Sequence, residues 1–373
     1  MHRFTLTVSI LSLLVSFSCN HYSRHEKADH ENLVICCYDT IDKHHPTVSI
    51  DDISYIPLET NDRSLIGSIN KIIYRNQRFY IFDRMNMKIF IFDEKGKFLS
   101  VINKRGNAPG EYMEAIDIDV DNEGHLYVLD NAKTSIVQYT LPAMEYKIIN
   151  TGLHCRSFCC LNKDLFALSD VFGQKHTRSK LLLFSTEEPD PSVLLSPEYE
   201  GVNESRLFAV KPFYRSANKV YYYKRFAPII YSIDNRGELR PEMKVMSDKY
   251  LSEEGIRQLE EADLAAYIQE QSHIKDIVDL YENDAYFLFR TCIEPTMNYT
   301  VYSKSDKNFS SFLYDERLNG CTQIKGVAEN RFIVELSYPQ YMKKIADEIL
   351  NINIDEDGSR CFRVRLTDRG TIK

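Results

Sequence analysis

The sequence predicts an all-β fold: a six-bladed β-propeller of four-stranded antiparallel blades, closed by an N-terminal strand, with two short helical insertions on one face. Three observations predict it. An apolar strand rich in Tyr, Phe, Ile and Val returns six times, as Arg78–Asp83, His125–Asp130, Leu165–Asp170, Lys219–Tyr223, Ala285–Arg290 and Arg331–Glu335. The first copies lie 47 and 39 residues apart, from Phe79 to Leu126 and from Leu126 to Leu165, near the roughly 40–50 residues of a propeller blade. Turn sequences at Asp93–Lys97, Asp121–Gly124 and Asp234–Gly237 put Gly where a hairpin needs positive φ.

Composition agrees with a folded chain that is neither collagen-like nor of low complexity, with Gly 14 and Pro 12. At 373 residues with 43% hydrophobic and 27% charged residues, one large all-β domain has a sizeable core, and a mostly disordered chain is excluded. Lys+Arg 46 against Asp+Glu 54 leaves −8, which argues against nucleic acid as a partner. The absence of Trp beside 24 Tyr and 20 Phe speaks against blades built on a Trp-Asp dipeptide.

Taken in chain order, residues 1–18 read as a signal peptide of lipoprotein type. His2 and Arg3 precede a mostly apolar run from Phe4 to Phe17, too short to span a bilayer, which needs about 20 residues. Cys19 then reads as the lipidated first residue of the mature chain, with ordinary secretory cleavage after Ser16-Phe17-Ser18 as the alternative, and Asn20 is not the Asp that signals inner-membrane retention. Residues 19–47 are polar and His-rich, a tether that includes Cys36 and Cys37. Residues 48–373 form the propeller. Ile53–Pro57 is a strand left over at the start and can complete the sixth blade, which runs out of chain after Phe362–Leu366. Closure of that kind removes the exposed sheet edge that invites aggregation.

Cys155, Cys159 and Cys160 fall in what reads as one strand, where Cys155 and Cys159 are about 13 Å apart at roughly 3.3 Å per residue. A disulfide needs Cα atoms within about 7 Å, so these read as buried thiols. Asp117-Ile118-Asp119-Val120-Asp121 invites a calcium reading, but an EF-hand loop needs Gly sixth and Glu twelfth, where this chain has Asn122 and Val128. The alternation instead puts Ile116, Ile118 and Val120 on one strand face and the Asp residues on the other.

Phe79–Asp83, Ile89–Asp93 and Gly96–Phe98 together resemble the NHL-type, TolB-like propeller repeat. Gly106-Asn107-Ala108-Pro109-Gly110-Glu111-Tyr112 is similar to the Gly-x-Gly-Pro-Gly-Glu-Tyr signature of a family of exported bacterial six-bladed β-propeller lipoproteins, with Ala108 in place of a Gly. The resemblance covers about residues 50–335. It implies a fold and an envelope location, with no settled activity.

Topology says which face works. In a four-stranded blade the loop between strands two and three and the loop to the next blade leave on one face. The long connections Asp170–Ser179, Ser247–His273 and Ser337–Arg360, and the Gly106–Tyr112 loop, belong to that set. The opposite turns, such as Arg75–Gln77 and Glu94–Lys97, are short. Function concentrates on long loops carried by a rigid scaffold. Ser252 as a cap before Ile256 and Leu259, and Pro339 before Ile345 and Ile349, predict the two helical insertions.

Second-strand ends ring the channel mouth on the same face. The candidate ligand residues are Arg84, Arg105, Glu111, Tyr112, Lys224, Arg225, Arg290 and Glu335, where Arg can fork a carboxylate. No Gly-x-Ser-x-Gly, His-Glu-x-x-His or Gly-x-x-x-x-Gly-Lys motif occurs. The reading is therefore a non-catalytic propeller, anchored in the bacterial outer membrane by its lipid, that recognises a glycan, a peptide or an envelope protein. It needs no cofactor. Scattered channel carboxylates leave Ca²⁺ open, and with it the alternative of a metal-assisted hydrolase or lyase working at the mouth.

Overall fold

The computed structural model describes residues 33–42, 48–169, 181–188, 190–195, 212–216, 219–223, 228–250, 274, 277–293, 298–312, 321–336 and 360–368. Its strands form a β-propeller. The first sheet contains β3 (Lys71–Arg75), β4 (Arg78–Asp83), β5 (Lys88–Asp93) and β6 (Phe98–Ile102), and the second β7 (Ala115–Val120), β8 (Leu126–Asp130), β9 (Ser135–Thr140) and β10 (Glu145–Asn150). The third holds β11 (Ser157–Asn162), β12 (Leu165–Ser169), β13 (Leu181–Ser185) and β14 (Ser192–Leu195). In the next sheet are β15 (Phe213–Arg215), β16 (Val220–Tyr223), β17 (Ile229–Ile233) and β18 (Leu239–Met246). It is followed by β19 (Ile277–Glu282), β20 (Tyr286–Thr291), β21 (Thr300–Ser303) and β22 (Asn308–Ser311). The last sheet joins β23 (Cys321–Ala328), β24 (Arg331–Leu336) and β25 (Arg360–Asp368) to β2 (Val48–Ile56) from the other end of the chain.

Five of these sheets carry four antiparallel strands, and the sheet of β15–β18 has a fifth. The strand added there is β1 (Val34–Cys37), which lies parallel to β18 with Val34 beside Met243 and Cys37 beside Met246. This corrects the tether read over residues 19–47, because residues 34–40 belong to the fold. Cys36 and Tyr38 are buried. The Tyr38 hydroxyl bonds the Thr291 hydroxyl at 2.9 Å, and Asp39 accepts from the Ser247 hydroxyl and the Asp248 N–H, both at 2.8 Å. The one helix among the described residues is the 3₁₀ turn Tyr38–Thr40. The helical insertions expected after Ser252 and Pro339 lie outside the described residues.

Packing between sheets closes the ring. Each hydrophobic cluster fills the space between two neighbouring sheets. Tyr80, Ile118 and Val128 join the first to the second, and Tyr127, Phe158 and Phe166 the second to the third. Ile72, Phe79 and Phe90 meet Ala328 and Ile333, so the last sheet also packs on the first. Strand β2 then locks the last sheet covalently distant but hydrogen-bonded, with Tyr55 opposite Phe362, as the leftover strand Ile53–Pro57 predicts. Gly96, at φ +84, turns its hairpin against Pro57, and its carbonyl accepts the Glu59 N–H at 2.8 Å.

Two local expectations change. A β-bulge between Ala115 and Asp117 moves Ile116 off the face of Ile118 and Val120, and Ile116 packs into the next cluster instead. Cys155 precedes β11 rather than lying in it, though all three cysteines are buried and none is in a disulfide.

Candidate functional site

The first strand of each sheet, β3, β7, β11, β15, β19 and β23, faces the propeller axis. Together they enclose a cavity of about 430 Å³. Its walls are aromatic, with Phe158, Phe213, Tyr214, Tyr223 and Tyr281, and charged, with Lys71, Arg75, Arg215, Arg290 and Lys325 against Asp119 and Asp279. Charges this far from water need partners to be stable.

Toward the upper end, where the inner strands begin, each cation has its own carboxylate. Lys71 Nζ donates to Asp117 Oδ1 at 2.8 Å and to the Ile118 carbonyl at 2.7 Å. Arg290 donates to Asp279 Oδ2 from Nε at 2.9 Å and from Nη2 at 2.6 Å. Lys325 lies 3.1 Å from Glu335. The Lys71–Asp117 pair also braces neighbouring sheets, because Asp117 accepts the Ser157 hydroxyl at 2.6 Å and the Phe158 N–H at 3.3 Å. Burial works against the Lys71 charge, but Asp117 and Asp119 outweigh it and raise the ammonium pKa.

Lower down the axis, Arg215 Nη2 donates to Asp119 Oδ2 at 2.8 Å, to Cys159 Sγ at 3.1 Å and to the Cys160 carbonyl. Asp119 also accepts the Cys160 N–H at 2.9 Å. Burial opposes ionisation of Asp119, yet the charges of Arg215 and Lys71 and these hydrogen bonds win, holding its carboxyl at about 2. Burial, reinforced by Asp119, pushes the Cys159 thiol well above the usual thiol range. Arg75 moves the other way: burial, then the nearby Arg215 charge, lowers it.

A family model for a domain of unknown function, DUF4934, matches residues 46–357. The chain belongs to the DUF4934 family. Among solved structures, the DUF4934 chain is similar to a Bacteroides fragilis protein named as exported, at 17% identity and a TM-score of 0.68, covering 90% of this chain and 99% of that one. A DUF4221 member from Bacteroides vulgatus matches at 10% identity and a TM-score of 0.49, over 86% of this chain and 98% of that one. A streptogramin B lyase matches at 10% identity and 0.39, over 84% and 98%. Among curated proteins none matches.

The DUF4934 fold distributes the residues expected at the mouth differently from one another. Arg290 lines the cavity, and Glu335 reaches it through Lys325. Arg84 and Arg105 are exposed on the upper loops. Tyr112 is not at the mouth. It is 0% exposed, packs in the core between the first two sheets, and donates its hydroxyl to the Met87 carbonyl at 2.7 Å. Glu111 folds back on its own loop, accepting the Ala108 N–H at 2.9 Å. Gly110 takes φ +75 and its carbonyl accepts the Tyr139 hydroxyl at 2.7 Å. The Gly106–Tyr112 signature is thus a self-bonded connection between sheets. Lys224 and Arg225 lie outside the described residues, as does Cys19.

Sequence reasoning did not pick out Lys71, Arg75, Arg215, Asp279 and Lys325, and it weighed Asp117 and Asp119 only for calcium. Each sits in or at the end of a first strand, and nothing local in the sequence says that a first strand faces the axis. At the opposite face, Asp121, Glu123 and His125 bring ligand atoms together. Asp121 there accepts from its own hairpin, including the Glu123 and His125 N–H groups at 2.9 Å, which is a turn brace.

Proposed function

We propose that this DUF4934 propeller is an exported recognition protein of the bacterial envelope, held to the outer membrane through Cys19, and that it binds rather than transforms its ligand. The observation that carries the reading is how the charges of the axial cavity are tied: Asp119 accepts from Arg215 and the Cys160 N–H, Arg290 forks onto Asp279, and Lys71 holds Asp117. A general base or nucleophile works best with a pKa near the operating pH. Asp119 is held at about 2 and Cys159 is driven far upward by burial, so one is a fixed charge and the other an inert thiol. Fixed charges on a rigid ring suit recognition.

The sheet order bears on the same reading. We read the five-stranded sheet as a sixth blade widened by β1, in an NHL-like, TolB-like arrangement. Export is supported by the run Phe4–Phe17 before Cys19 and by the similar Bacteroides fragilis protein named as exported. The long-loop face, with Arg84 and Arg105, would contact a glycan, peptide or protein partner, with the cavity beneath it.

Glycan and peptide arrays probed with residues 20–373 test this. A ligand class whose binding falls at least tenfold in an Arg84→Ala/Arg105→Ala double variant is the expected result. Turnover of ester, lactone or uronide substrates, or stoichiometric Ca²⁺ whose chelation lowers the melting temperature and removes activity, would replace recognition with catalysis.

A further inference from the structure

The axis holds four ion pairs and one cation more. Lys71 is paired with Asp117, Arg215 with Asp119, Arg290 with Asp279 and Lys325 with Glu335. Arg75 lines the same cavity, and among the described residues it has no carboxylate or carbonyl partner. Its Nε is buried without an acceptor, and so is that of Arg215. Arg75 as a whole is half-buried, and a guanidinium N–H buried without an acceptor is costly until something supplies one.

We propose that the axial cavity binds a small organic carboxylate with a ring-sized body, its carboxylate seated on Arg75 and its ring against Tyr214 and Tyr281. Charge selects the class: one uncompensated guanidinium calls for one negative charge, and its planar fork matches a planar carboxylate. The walls select the body. Tyr214 and Tyr281 meet edge to face at 5.3 Å, and both hydroxyls are already engaged, with the Glu282 and Ile324 carbonyls. They therefore present ring surface, not hydroxyls, to a guest. A volume of about 430 Å³ lies within the roughly 300–1,000 Å³ of small-molecule sites. The neighbouring Asp119 is held by Arg215 and the Cys160 N–H, so it does not turn to neutralise Arg75.

This rests on the recognition reading, and the experiment separates the two. Calorimetric titration at low salt uses benzoate and D-glucuronate as probes, with benzyl alcohol and D-glucose as neutral counterparts of similar size. At least one acid is expected to bind, its neutral counterpart at least tenfold more weakly, and Arg75→Gln to remove the difference. In the ligand-free protein, Arg75→Gln is expected to melt at the same temperature as the parent or above it, because the variant loses an unpaired charge. If neither acid binds, or if Arg75→Gln lowers the melting temperature by several degrees, the carboxylate site is wrong, even where array partners uphold recognition. If an acid binds through Arg75 and NMR shows it consumed, the site stands and the non-catalytic reading falls.

Discussion

The two ends of the propeller axis are built from the same residue types and behave differently. At the upper end Lys71, Arg290 and Lys325 each meet a carboxylate from the same or the adjacent sheet, so the charges there are matched one to one, and Lys71–Asp117 ties two sheets together. At the lower end two guanidinium groups, Arg75 and Arg215, have Asp119 alone between them. Neutral pairing makes a strut. A surplus charge in a walled cavity makes a site that is complete only when something else arrives. Asp119 is tied to Arg215 and to the Cys160 N–H, so it acts on Arg75 only through space and forms no ion pair with it.

The largest effect expected is on the lower pair. Asp119→Asn keeps the shape but leaves Arg215 buried without its counter-charge, and removing one partner of a buried pair costs roughly 3–5 kcal/mol. Urea denaturation should show the midpoint falling at unchanged slope. A change below about 1 kcal/mol would mean that Arg215 is solvated and that the two ends do not differ.

Acid should find the same pair next. The Asp119 carboxyl falls from the ordinary 3.8 to about 2 on folding. A carboxyl lowered in this way contributes stability that is fully present above about pH 4 and is lost as the pH falls through about 2. At 1.36 kcal/mol per unit the amount is roughly 2–3 kcal/mol. Stability measured from pH 5 down to pH 2 should decline in the parent, and the part owed to Asp119 should be missing in Asp119→Asn. Parallel curves for the two proteins would assign the acid limb to other carboxylates.

The fold was legible because alternation with period two and glycine turns are local signals, repeated often enough to count. Second strands were the easiest to find, and for that reason Arg290 and Glu335, at their ends, were found with them. First strands were harder. A charge inside a short strand looks the same in sequence whether it faces water or a central channel, so Lys71 and Arg215 drew no reading and Asp119 was weighed only for calcium. Strand β1 was not legible at all. Four residues, Val34–Cys37, sit in a polar His-rich stretch, and their partner β18 lies some 200 residues on. The Gly106–Tyr112 signature misled in the opposite sense, since its residues are prominent because the loop holds itself together.

That last point separates structure from binding at modest cost. Tyr112→Phe removes the hydroxyl that serves the Met87 carbonyl and should cost about 1 kcal/mol. Any ligand bound at the axis should keep its affinity. A loss of binding without a loss of stability would return Tyr112 to the mouth.

The smallest effect is the sharpest control. Lys219–Glu242 and Lys71–Asp117 have the same 2.8 Å separation, but the first pair is 40% and 31% exposed and the second 19% and 7%. Distance alone would make them equal. Exposed pairs give about 0.2–1 kcal/mol in double-mutant cycles and are screened by salt, whereas Lys71 and Asp117 also hold the Ile118 carbonyl and the Ser157 hydroxyl in place. A cycle on Lys219 and Glu242 should therefore give a coupling near the bottom of that range that vanishes in 1 M NaCl. The cycle on Lys71 and Asp117 should exceed it severalfold and persist in salt. Equal couplings would show that water reaches both pairs alike, and that the axis gains nothing from its walls.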